Sequence, residues 1–181
     1  MKKNLIAILI IALVSVGLFA AVSDAQFQVQ TTISAINDMK LTTSSIDALS
    51  PMPTSLSGVT GFTAPVKITS SGATEAFTAY ISALSNNQAG FTVKMSATPM
   101  VSTSDPSNGN NHKINYTVAA GGVEYITGTT ANPVTVISQG TITALKGVSK
   151  VLSISVDTVS FNAAIQDSYE GTVTFTYTSN T

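Results

Sequence analysis

The sequence predicts an all-β protein, a sandwich of short strands. Three observations carry that expectation. Short runs rich in Val, Ile, Thr, Tyr and Phe recur along the chain. Clusters of Gly, Pro, Asn and Ser separate them. No stretch after residue 25 carries a helical stripe of apolar residues.

The first run is Gln26 to Ala35. Phe27, Val29, Thr31, Ile33 and Ala35 fall on one face, and Gln28, Gln30, Thr32 and Ser34 on the other. Period-two alternation is the pattern of a half-buried strand. No hairpin partner precedes it, so it is free to pair with another molecule. Leu49 to Ser57 contains Pro51 and Pro53, which exclude a regular helix or a central strand.

Val66 to Thr69 and Ala76 to Ile81 read as strands, ended by Ser70-Ser71-Gly72 and Ser85-Asn86-Asn87. Phe91 to Met95 alternates and stops near Pro99. Lys113 to Val118 runs into Gly121-Gly122 and Val123 to Ile126 follows, a hairpin built on the double glycine. Val134 to Ile137, Val151 to Val156 and Tyr169 to Thr178 complete the set. The pattern holds no internal repeat, linker or second domain.

Residues 1–25 read as a secretory signal peptide. Lys2 and Lys3 form the positive start, Leu5 to about Val22 the apolar stretch, and Ser23-Asp24-Ala25 the small-residue cleavage site. Cleavage after Ala21 is the second choice. An uncleaved anchor is the alternative, because the apolar run approaches the roughly 18 residues that span a bilayer.

The mature chain, 26–181, has six Lys, no Arg and eight Asp or Glu, a net charge of −2 with His neutral. It offers no basic patch for phosphate backbones, which argues against nucleic acid as a partner. No Cys is present, which excludes thiolate zinc sites and cysteine nucleophiles.

Candidate chemistry is sparse. His112 is the only histidine and lies in a turn-rich stretch, where a solvent-exposed loop residue is expected. Asp105 to Asn110 lacks the ligand alternation and closing Glu of a calcium loop. Asp157, Asp167 and Glu170 could supply a carboxylate pair, but acids at strand ends more often serve solubility. No Gly-x-Ser-x-Gly elbow occurs. Asn115-Tyr116-Thr117 matches a glycosylation sequon inside an apparent strand, a chance match by default. The expectation is no enzyme, no catalytic residue, no cofactor and no metal.

Tyr169 and Gly171 open the final strand, and two readings stand. In one, the Tyr169 hydroxyl anchors the strand start to backbone and Gly171 relieves crowding or permits a bulge. In the other, they are an ordinary core tyrosine and a surface glycine.

Several segments, in this order, resemble the major pilin subunits of alternate chaperone–usher fimbriae, the colonisation-factor type, class alpha. They are the signal followed by the alternating strand and Asn37-Asp38-Met39-Lys40-Leu41; Phe91 to Met95 running on through Ser96-Ala97-Thr98-Pro99; Ile114 to Val118 followed by Gly121-Gly122; Val151 to Ser155; and Tyr169-Glu170-Gly171-Thr172-Val173. The lack of Cys is similar to that family and departs from disulfide-bearing pilins. The segments 42–65 and 103–112 match nothing in it.

The resemblance implies an incomplete immunoglobulin-like β-sandwich, 38–181, lacking one strand. It implies that residues 26–37 form a donor strand that completes the neighbouring subunit, with Phe27, Val29, Thr31, Ile33 and Ala35 as the inserted face. It further implies Tyr169, Gly171 and Val173 as the C-terminal strand motif. The partners implied are the chain itself in a homopolymer filament, a periplasmic chaperone, an outer-membrane usher and a minor tip adhesin. The location implied is an extracellular fimbria exported through the periplasm. A ten-residue strand reaches about 33 Å, enough to cross a sandwich. The rival expectation is a secreted, self-complete β-sandwich binding module for carbohydrate or a surface.

Overall fold

The computed structural model describes residues 30–47, 49–63, 65–68, 77–106 and 109–181. The chain divides into a unit Met1–Ile33 and a body Ser34–Thr181. In the first unit, Gln30 to Ile33 are exposed and outside any strand or helix.

The body is built almost entirely from antiparallel strands: β1 (Asn37–Thr42), β2 (Tyr80–Ser85), β3 (Phe91–Ala97), β4 (Met100–Ser102), β5 (Lys113–Ile114), β6 (Tyr116–Ala120), β7 (Val123–Ile126), β8 (Val134–Gln139), β9 (Lys146–Val156), β10 (Tyr169–Glu170) and β11 (Val173–Ser179). One short helix, α1 (Thr158–Ala163), and a 3-10 turn at Asn110–His112 interrupt them. A five-stranded sheet has the order β1-β2-β9-β6-β7, and two three-stranded sheets have the orders β10-β4-β5 and β11-β3-β8.

Alternation decides what each strand buries. In β3, Phe91, Val93 and Met95 point into the core while Lys94 is exposed. In β2, Ile81 and Ala83 join the main core, whereas Leu84 belongs to a second cluster with Ile46 and Leu56. A strand buried on both faces needs a cover on each, and the stretch after β1 supplies the outer one. Beneath it a chain of buried hydroxyls crosses the sheet, Thr42 Oγ1 to Ser82 Oγ at 2.8 Å and Ser82 Oγ to Ser149 Oγ at 2.8 Å, and Ile46 N of the stretch donates to Ser149 Oγ at 2.9 Å. The segment 42–65 therefore forms an outer layer, and 49–57 contains no strand or helix, as its prolines require.

The expected hairpin is present. Gly121 and Gly122 have φ of 56° and 88°, the left-handed pair that a two-residue turn demands between β6 and β7. Other boundaries differ from the sequence reading. Lys113 to Val118 is two strands, because Asn115 is drawn off the ladder: its N–H donates to Ser160 Oγ at 2.9 Å and its carbonyl accepts from Asp157 N at 2.9 Å. β5 thus pairs with β4, while β6 pairs with β7 and β9.

The second strand starts at Tyr80, not Ala76, and residues 66–68 pair with no strand. β9 begins five residues earlier than its most apolar part, at Lys146, because β2 supplies a partner for that end. The helix α1 is too short, at six residues, to show a stripe. Ala76 and Thr69 lie outside the described residues. Among the described residues no helix is long and apolar enough to cross a membrane.

Candidate assembly groove

β11 is the last strand of its sheet and pairs only with β3, from Val173↔Ala97 to Ser179↔Phe91. Its other side carries no ladder among the described residues. Val173, Phe175 and Tyr177 are half-buried against the main core, while Thr174, Thr176 and Thr178 are exposed. The Tyr177 ring stacks on Phe91 with centroids 5.3 Å apart. An edge strand with an apolar inner face and unpaired backbone groups is a template for a further strand.

β10 and β11 run as one edge, bent at Gly171-Thr172. Thr98 N donates to Thr172 O at 2.9 Å, so the ladder continues through the bend. A Cβ on Gly171 would stand 3.0 Å from both Thr98 O and Met100 Cγ. Glycine is there for close approach, not for an unusual φ. The Tyr169 hydroxyl lies 2.9 Å from Ile165 O and 3.1 Å from Asn111 O, a backbone anchor at the strand start. The anchoring reading of Tyr169 and the crowding reading of Gly171 describe this geometry. At the far end, Asn87 Nδ2 holds Ser179 Oγ and Asn180 O, each at 2.8 Å.

β1 is the matching edge of the five-stranded sheet. Met39 and Leu41 lie against the main core, and Tyr177 Oη donates to Asn37 Oδ1 at 2.9 Å. Beside β10, an open groove of about 840 Å³ is bordered by Val66, Ile68, Met100, Phe161 and Tyr169. Val66 and Ile68 are half-buried and Pro65 and Lys67 exposed, so this stretch alternates without belonging to a ladder.

Of the five expected donor residues, Phe27 and Val29 lie outside the described residues. Thr31, Ile33 and Ala35 are all exposed, Ile33 at 82%. The body takes hold at Ser34, whose carbonyl accepts from Asn86 Nδ2 at 2.8 Å, and at Ile36, whose N–H donates to Asn86 Oδ1 at 2.8 Å and whose side chain packs on the outer cluster. Asn37 already sits in β1, paired with Ser85.

The chemical candidates have structural employment. Asp157 caps α1, accepting from Ser160 N at 2.8 Å, and this bond holds its carboxyl below the usual range. The Ser102 and Ser104 hydroxyls and the Ser168 N–H bond to the Asp167 carboxylate and lower its pKa to about 2. Neither is poised as a general acid. His112 is not the expected exposed residue: its side chain is 15% exposed, with Nδ1 3.7 Å from Asp105 Oδ2. The 3-10 turn packs it inward beside β5. Among the described residues no cluster of three His, Cys, Asp or Glu could hold a metal.

Asn37, Lys40 and Asn87 are polar residues that bond at the two edges; the sequence reading named the first two only within a segment of the resemblance and the third only within a turn cluster, without these roles. No protein-family model, curated protein or solved structure matches this chain.

Proposed function

We propose that this protein is the structural subunit of an extracellular adhesive fimbria. On this reading the body is an immunoglobulin-like sandwich short of one strand. The N-terminal segment of the next subunit supplies that strand, and head-to-tail repetition gives an open filament. A periplasmic chaperone protects the groove before assembly at an outer-membrane usher, and a minor adhesin occupies the tip. The signal-like leader supports export, and the sequence resemblance to class alpha pilins supports the assembly route.

The single observation that carries the reading is the β11 edge. Val173, Phe175 and Tyr177 present a half-buried apolar row beside a backbone edge without a ladder. A soluble monomer does not keep such an edge open without cost. The complementary piece is the alternating, exposed segment ending at Ala35.

Electron microscopy of material sheared from expressing cells, with mass analysis of the band, tests this. Filaments composed mainly of this chain, starting at Gln26, are the expected result. A soluble monomer with a protease-resistant N-terminus overturns it and favours the self-complete binding module.

A further inference from the structure

β1 is gripped from its outer face. Asp38, Lys40 and Thr42 point away from the main core, opposite Met39 and Leu41. Lys40 Nζ donates to Val59 O at 2.7 Å and Leu56 O at 3.1 Å. Asp38 Oδ2 accepts from Leu56 N at 2.7 Å and from Ser55 Oγ at 3.3 Å. The same layer returns to the strand's edge: Phe62 N donates to Leu41 O at 2.9 Å, Thr43 N to Thr60 O at 3.1 Å, and Thr42 bridges Gly61.

The spacing at Gly61 is tight. A Cβ there would stand 2.9 Å from Lys40 Cε. The atom met is the movable end of the lysine side chain, so a methyl there would displace the stem only slightly; the nearest backbone atom, Leu41 O, is 3.6 Å away. Leu56 O also accepts from Val59 N at 3.2 Å, and the lysine adds a charge-assisted bond to each carbonyl of this irregular turn.

We infer that residues 55–62 are a brace for the groove edge, and that Lys40 is its pin, a positioning residue for strand uptake. The inference rests on the proposed assembly function. Among the described residues, β1 pairs with β2 on one side and on the other meets only the return of residues 60–62 at its Leu41–Thr43 end, and Met39 and Leu41 reach the core from it. With the pin in place the edge stays in its sheet while the groove is empty. Without it β1 frays, those two side chains leave, and an incoming strand loses one apolar wall. Lys40 itself touches no incoming strand.

The test uses the mature chain and a fluorescent peptide of residues 26–36. Amide exchange is read in β1 and β3, and peptide release is timed. In Lys40→Met, residues 37–42 exchange faster while Phe91–Ala97 keep their protection, and the peptide leaves about tenfold sooner, the scale of one charge-assisted hydrogen bond. Lys40→Arg keeps a donor for the carbonyls and restores much of both readouts. Gly61→Ala, which leaves the lysine intact and displaces only the movable end of its stem, shifts both readouts less than Lys40→Met. Wild-type exchange and release in Lys40→Met overturn the brace. Protection lost equally from β3 overturns it too, because the effect is then not local. A wild-type chain that binds no peptide overturns the assembly reading instead, and the exchange pattern still decides the brace.

Discussion

The Tyr177 hydroxyl donates to the Asn37 side-chain oxygen at 2.9 Å, linking the edge strand of one sheet to the edge strand of another. The two residues are 140 positions apart. Their bond ties the start of β1 to the later part of β11.

Tyr177→Phe removes that link and leaves the ring on Phe91. The expected loss is about 0.5–1.5 kcal/mol, the net worth of one hydrogen bond. Urea unfolding of the monomer measures it.

Gly171→Val places a branched side chain where even a Cβ stands 3.0 Å from Thr98 O. The bend between β10 and β11 must open, at a cost of about 1–3 kcal/mol. Thermal unfolding reads the cost, and Gly171→Ala shows a smaller loss.

Ile33→Asp separates assembly from folding. Ile33 is 82% exposed, so the monomer's stability changes by no more than about 0.5 kcal/mol. Filaments should be absent, because an inserted strand would bury an unpaired charge. Micrographs of sheared material and a melting curve check the two halves; normal filaments remove Ile33 from the inserted face.

Burial pushes the Tyr116 phenol up to about 12, with Tyr125 adding to the rise. The folded chain holds that proton where the unfolded chain has released it. The contribution of Tyr116 is therefore constant below about pH 10 and is lost between about 10 and 12. Tyr116→Phe should flatten this alkaline limb in denaturant titrations.

Asp167 behaves in the opposite sense. Its carboxyl titrates at about 2 in the fold because the Ser102 and Ser104 hydroxyls stabilise the charged form. Its contribution is present above the ordinary carboxylate value near 4 and is lost as pH falls towards 2. Acid unfolding of Asp167→Asn should begin from a lower stability and show a shallower slope over that window.

The alternation of Phe91, Val93 and Met95 made the inner face of β3 readable, and Gly121-Gly122 made the hairpin of β6 and β7 readable. Both are local signals: a strand's two faces differ within neighbouring residues, and a turn's φ values lie within two. The lack of Cys and Arg in the mature chain likewise narrowed the chemistry before any folding was considered.

Tertiary structure decided the rest. That Asn115 leaves its strand depends on Ser160, 45 residues on, and that Ile46 reaches Ser149 depends on a partner 103 residues away. Asp157 became a helix cap and His112 turned inward through elements that no nearby repeat announces. Lys40 reads as one more polar residue on a strand until the fold brings Leu56 and Val59 carbonyls over it. The sequence by itself determined which faces of the strands are apolar, because side-chain alternation follows from backbone geometry. Which strands lie at the edges, and what bonds to them, emerged only when distant groups found partners.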